Sequence, residues 1–270
     1  MSPIQSIVVH VDAGPVCATR LRLARAWGGR LGASVAALYA VTPASLRKSL
    51  LFTAGVPDKA LIAYDDTRMA NARKRIDEAC AEPGVQVQWR EALDERDFTR
   101  QALYADLVVL GQYDDTSRDA GTSAGFVPSV IIESGKPALV VPNVARCGPE
   151  FGTVLVAWKE TREAARALAA AMPFLQKADI VHVAVDDDTD DEHCRLLQQF
   201  LQRHGVEARL CAVPSASADA GSALLALAAD LDAGLMVMGC YGHSRGREWI
   251  LGGATRRVLR SMTCPVLMAH

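Results

Sequence analysis

The sequence predicts an α/β protein built from two tandem, doubly wound units, each a five-stranded parallel sheet with helices on both faces, the two related by a pseudo-two-fold. Three observations carry this. Short apolar runs rich in β-branched residues alternate with segments of helical period, the pattern of a parallel sheet with crossover helices. The alternation then begins again at Val154. Finally, Ala105-Asp106-Leu107-Val108-Val109-Leu110-Gly111 and Ala233-Gly234-Leu235-Met236-Val237-Met238-Gly239 correspond position by position. Gly111 and Gly239 are each followed by a proline-led strand after the same interval of 26 residues, at Pro137 and Pro265.

In the first half, Ile7 to Asp12 reads as a strand broken by Ala13-Gly14-Pro15. Cys17, Leu21, Ala24 and Gly28 recur at helical spacing, and Ala33 to Val41 reads as a buried strand. From Pro43 to about Tyr64 no period holds, so an insertion is expected, followed by a charged helix over 65–80. Val85 to Trp89 alternates apolar and polar like a half-buried edge strand, and a helix is expected around 98–104. The apolar strand ending at Gly111, a helix over 128–134 and the strand Ala138 to Val141 complete the half.

Arg146-Cys147-Gly148-Pro149 is a natural linker, which sets expected domains at 1–145 and 151–270. Val154 to Lys159 restarts the series. Thr161 is placed to cap a helix whose apolar stripe is Thr161, Ala165, Leu168 and Met172. Strands follow over 178–185, 206–210, 233–239 and 266–268. The first half is longer than the second by 19 residues between equivalent points, about the size of its aperiodic segment.

Composition limits the function classes. The chain has 270 residues, half of them apolar, which supplies a sizeable core. A net charge of −2 gives no footprint for nucleic acid or an anionic membrane. No basic leader or long apolar run is present, so a cytoplasmic protein without a membrane segment is expected. Seven cysteines are scattered without a Cys-x-x-Cys pair, against both a disulfide framework and a zinc site. Cys240 stands apart, because a nearby helix N-terminus is expected to lower its pKa.

The chemistry concentrates between the ninth expected strand and the last helix. Gly239, Gly242, Gly252 and Gly253 punctuate a strand, a loop and a helix that carries Ala254, Val258 and Met262 on one face. Glycines allow a backbone to approach a ligand, and a helix start directs unpaired N–H groups and partial positive charge at it. That combination suits a phosphate chain. Gly239, two residues, Gly242, nine residues, then Gly252 resembles the nucleotide loop of the universal stress protein family. There a small hydroxyl residue follows the last glycine; here Gly253 stands in that place, with Thr255 two positions on.

With the repeat, the whole chain resembles a tandem universal stress protein. The resemblance implies a regulatory, stress-response protein that binds an adenine nucleotide, ATP with magnesium beside it, in the second half. Val183 would supply a backbone contact to adenine, while Gly239, Gly242, Gly252, Gly253, Ala254 and Thr255 would surround the phosphates. His243 and Arg245, on the loop, are further candidates for touching phosphate. The family's acidic residue at the end of the first strand is Lys159 here; it either reaches an anion or is a solvated strand end. In the first half Asp12 occupies the acidic position, but Asp114 replaces the second glycine and would repel phosphate, so that half is expected to be a structural partner. Family members pair through the fifth strand, which implies an intramolecular pseudo-dimer and leaves a further homodimer open.

No catalytic residue or metal ligand is assigned. The run Asp186 to Glu192 invites a cation, yet acidic residues before a helix near His193 complement its dipole, and the capping reading is preferred. His193 and Cys194 are adjacent on that helix and point apart. His10 and His182 fall within strands and read as core residues. A slow nucleotide hydrolase or phosphotransferase, or an interaction module with an empty pocket, remain as alternatives.

Overall fold

The computed structural model describes residues 4–44, 58–114, 121–143, 152–214, 219–242 and 253–270. In chain order the first nine elements are β1 (Ser6–Val11), α1 (Cys17–Leu31), β2 (Ser34–Tyr39), α2 (Asp58–Cys80), β3 (Val87–Glu91), α3 (Glu95–Ala102), β4 (Leu107–Gly111), α4 (Phe126–Ser134) and β5 (Ala138–Val141). The series repeats as β6 (Thr153–Ala157), α5 (Arg162–Leu175), β7 (Ile180–Asp186), α6 (Asp191–Arg203), β8 (Ala208–Val213), α7 (Ala220–Asp230), β9 (Leu235–Gly239), α8 (Gly253–Ser261) and β10 (Val266–Ala269). The expected tandem α/β organisation is present, with five strands and these four helices among the described residues of each pass.

The chain divides into two compact units, Ile4–Lys136 and Pro137–His270. In the first, the strands lie in the order β3-β2-β1-β4, all parallel. Central β1 and β4 are buried almost throughout, as strands covered on both faces must be. Helix α2 begins at Asp58, seven residues before the expected charged helix, so part of the aperiodic segment is helical. Arg25 explains how α2 stops. From within α1 it donates to the carbonyls of Ala79, Glu82 and Val85, which satisfies acceptors at and beyond the end of α2.

In the second unit the order is β5-β10-β9-β6-β7-β8. All pairs are parallel except β5 with β10, which run antiparallel with Val140 opposite Val266, Leu139 opposite Leu267 and Ala138 opposite Met268. This pairing places β5 with the second unit. The expected encounter of the two fifth strands is therefore seen. Thr161 caps α5 by accepting from the Ala164 N–H at 3.2 Å. The buried stripe of α5 is Ala164, Ala167, Leu168, Ala171, Met172 and Leu175; Ala165, expected on it, is exposed. Leu168 and Met172 lie on the buried face as expected, while the first turn buries Glu163 and Ala164 in place of Ala165. Among the described residues no helix is long and apolar enough to cross a membrane.

Candidate nucleotide site

In the second unit β6 is flanked by β7 on one side and β9 on the other. The chain leaves the carboxyl ends of β6 and β9 in opposite directions, and such a switch point opens the crevice in which doubly wound sheets hold ligands. Three features follow in the chain from the carboxyl ends of these two strands. Gly239 closes β9. Lys159 lies exposed two residues beyond β6, its carbonyl accepting from the Thr161 N–H at 2.7 Å. Helix α8 starts at Gly253 with no acidic residue in its first turn. A Cβ at Gly253 would meet nothing within 4 Å, whereas Thr255 is buried at 4 % exposure.

The first two glycines have a different surrounding. A Cβ on Gly239 would stand 2.4 Å from the Ala164 nitrogen and 2.6 Å from the Glu163 carbonyl carbon. Gly239 is therefore required by the first turn of α5, which crosses directly over it. A Cβ on Gly242 would lie 2.9 Å from Oε2 of Glu163. Neither glycine has a positive φ, so both are needed for space and not for backbone freedom. Tyr241 between them does take the left-handed region, at φ 59°.

Glu163 is a feature the sequence did not signal, because an acid in a first helical turn reads as a solvated dipole partner. Its side chain is only 4 % exposed and pairs with Nε of Arg162 at 2.5 Å. The hydrogen bond from Arg162, aided by charge from His270, holds its carboxyl below the usual range despite opposing burial. Cys240 contradicts the expected low pKa. Burial, then the Glu163 carboxylate, push its thiol up to about 12, and its Sγ donates to the Ala269 carbonyl at 3.3 Å.

Val183 lies mid-way along β7, fully buried, opposite Val156 on one side and Leu210 on the other. The strand runs three residues further, to Asp186, and the Ala184 carbonyl is taken by the Trp158 N–H at 2.9 Å. Ala254 is half-buried at the start of α8. His243, Arg245 and Gly252 lie outside the described residues. The structure thus brings Gly239, Gly242, Glu163 and the first turn of α5 together, and sets Val183 within the ladder.

The equivalent place in the first unit is filled from inside. Arg20 donates to the His10 carbonyl through Nε at 2.7 Å and to Oδ2 of Asp12 through Nη2 at 3.0 Å. A Cβ on Gly111 would stand 2.0 Å from Arg20 Nη1, so the guanidinium rests directly on the strand end. Asp12 also accepts from the Gly14 N–H at 2.8 Å. Burial would raise its pKa, but Arg20, then His10, reverse this and keep it lowered. Every one of these groups is spoken for by the protein itself.

Other sequence candidates resolve simply. Asp190 caps α6, accepting from the His193 N–H at 2.8 Å. Among the described residues no group of three or more His, Cys, Asp or Glu is placed to hold a metal ion. His10 is buried and bonded to the Ala40 carbonyl at 2.8 Å, while His182 is half-buried with Nδ1 3.4 Å from Cys211 Sγ.

The model of the universal stress protein family matches residues 213–270, from the end of β8 to the last strand. By structure, the chain is similar to a universal stress protein from Archaeoglobus fulgidus DSM 4304, at 14 % identity and a TM-score of 0.69, over 98 % of this chain and 97 % of that one. The C-terminal segment thus matches the universal stress protein family, and the whole chain has the fold of a universal stress protein. A functionally unknown protein from Pseudomonas aeruginosa PAO1 is similar at 16 % identity and a TM-score of 0.58, over 98 % of this chain and 92 % of the other. No curated protein matches the sequence. Both likenesses span the tandem pair of units and show the fold of the whole chain.

Proposed function

We propose that this protein is a cytoplasmic, regulatory universal stress protein that binds one adenine nucleotide per chain in its second unit, ATP being the form the family resemblance implies. The observation that carries the reading is the start of α8 at Gly253, without an acidic first turn and with room for a Cβ there, in the helix that follows β9 on the carboxyl side of the β6–β9 switch point. Lys159 supports it as a cation on the same crevice. The filled Arg20–Asp12 arrangement supports restricting binding to the second unit. With magnesium, the ligand would be held by the β9–α8 loop and the start of α8; no side chain is assigned to the metal.

The Glu163 carboxylate against Gly242 favours a second reading, an interaction module whose pocket stays closed. Titration calorimetry of the full chain with ATP and magnesium separates the two. Saturation at one equivalent, lost in Gly253→Val, is expected; no heat, or saturation at two equivalents, would reject the proposal. Phosphate release measured on the same samples tests for hydrolysis, for which no base is assigned.

A further inference from the structure

Gly242 lacks a Cβ, and the space a Cβ would take is bordered by Oε2 of Glu163 at 2.9 Å and its carboxyl carbon at 3.3 Å. The direction from which a glycine lets an anion approach the backbone is therefore held by a negative charge. That charge is built into rigid structure: Glu163 sits in the first turn of α5, capped by Thr161 and packed over Gly239, and its side chain is 4 % exposed. Its counter-charge, Arg162, is 62 % exposed and pairs with Oε1, leaving Oε2 toward Gly242. Among the described residues, the Cys240 thiol and His270 also act on it, and His270 Nδ1 meets the Cys240 carbonyl at 3.2 Å.

We infer that Glu163 is a specificity-determining residue that ranks ligands of this site by their negative charge, disfavouring triphosphates against monophosphates and nucleosides. The inference rests on the nucleotide reading above. A fixed carboxylate repels each added phosphate through a partly screened medium, so removing one unit charge a few ångströms from the phosphates changes affinity by about tenfold. A nucleoside, carrying no charge, is indifferent to it. Arg162 works in the opposite sense, since it offsets the same carboxylate.

The test is calorimetry of adenosine, AMP and ATP binding to the full chain and to two variants. Glu163→Gln, which keeps shape and hydrogen bonding, should bind ATP about tenfold more tightly, AMP more tightly by a smaller factor, and adenosine unchanged. Arg162→Ala alters an exposed side chain and should weaken ATP while leaving adenosine alone, so the sign can be read even if Glu163→Gln folds poorly. A Glu163→Gln protein that binds ATP no more tightly than the parent, or gains equally for all three ligands, overturns the inference. Parent and variants that bind none of the three overturn the nucleotide reading itself, and the inference with it.

Discussion

Arg20 Nη2 lies 3.0 Å from Oδ2 of Asp12, and both side chains are buried, so the ion pair occupies the place where the first unit would otherwise open to a ligand. Removing the cation alone strands a buried carboxylate that keeps the Gly14 N–H at 2.8 Å but has no charged partner among the described residues closer than His10 at 3.6 Å. Arg20→Met should cost about 3–5 kcal/mol in urea unfolding. Arg20→Met combined with Asp12→Leu should lose less than the single change, because the two residues are coupled. Additive losses would show that the pair is not the unit of stabilisation.

Gly239 and Gly242 should respond differently to alanine. At Gly239 the new Cβ meets helix backbone, which cannot swing aside, and overpacking of this kind costs about 1–3 kcal/mol. At Gly242 it meets only the carboxylate end of the Glu163 side chain, which need give only slightly, so a loss under about 1 kcal/mol is expected. Equal losses would mean that α5 is not seated on Gly239 as described.

His10 supplies a pH dependence. Burial, opposed by Asp12, lowers its pKa from 6.5 to about 4, so it is neutral in the fold. As pH falls below 6.5 the unfolded chain takes up a proton that the folded chain refuses until about pH 4. Stability therefore drops across that window, by at most about 1.4 kcal/mol per pH unit for one proton. Asp12, whose pKa is lowered, adds a further loss only below its ordinary 3.8. His10→Gln, compared with the parent at pH 7, 6 and 5, should show a shallower slope; identical slopes would mean that His10 is already charged in the fold.

The fold was legible because its signals are repeated: Gly111 and Gly239 end equivalent strands, and each is followed by the same spacing to a proline-led strand. The glycine loop was legible as a motif, yet the causes of Gly239 and Gly242 were not. Both serve α5, and a close approach between distant segments leaves no local trace. Arg20, Arg25 and Glu163 were missed for a shared reason. A charged residue on a helix reads as solvent-facing, and only tertiary structure shows Arg20 and Arg25 reaching buried carbonyls and Glu163 turned toward Gly242.

Strand β10 lies between β9 and β5, bonded on both sides and buried throughout, whereas β8 ends its sheet with β7 as its neighbour and is half-exposed. An amide in a doubly paired, buried strand exchanges only when a large cooperative part of the unit opens, while one on an edge is released by local fraying. Amide hydrogen exchange followed by mass spectrometry should therefore show peptides covering Val266–Ala269 protected near the limit set by global unfolding. Peptides covering Ala208–Val213 should exchange faster by about tenfold or more, which corresponds to a gap of about 1.4 kcal/mol in opening free energy. Because β5 provides the second flank, Leu139→Pro, which breaks an antiparallel strand, should bring the β10 peptides down toward the β8 rate and leave the β8 peptides where they were. If β10 stays fully protected in that variant, the antiparallel flank does not set the stability of the last strand.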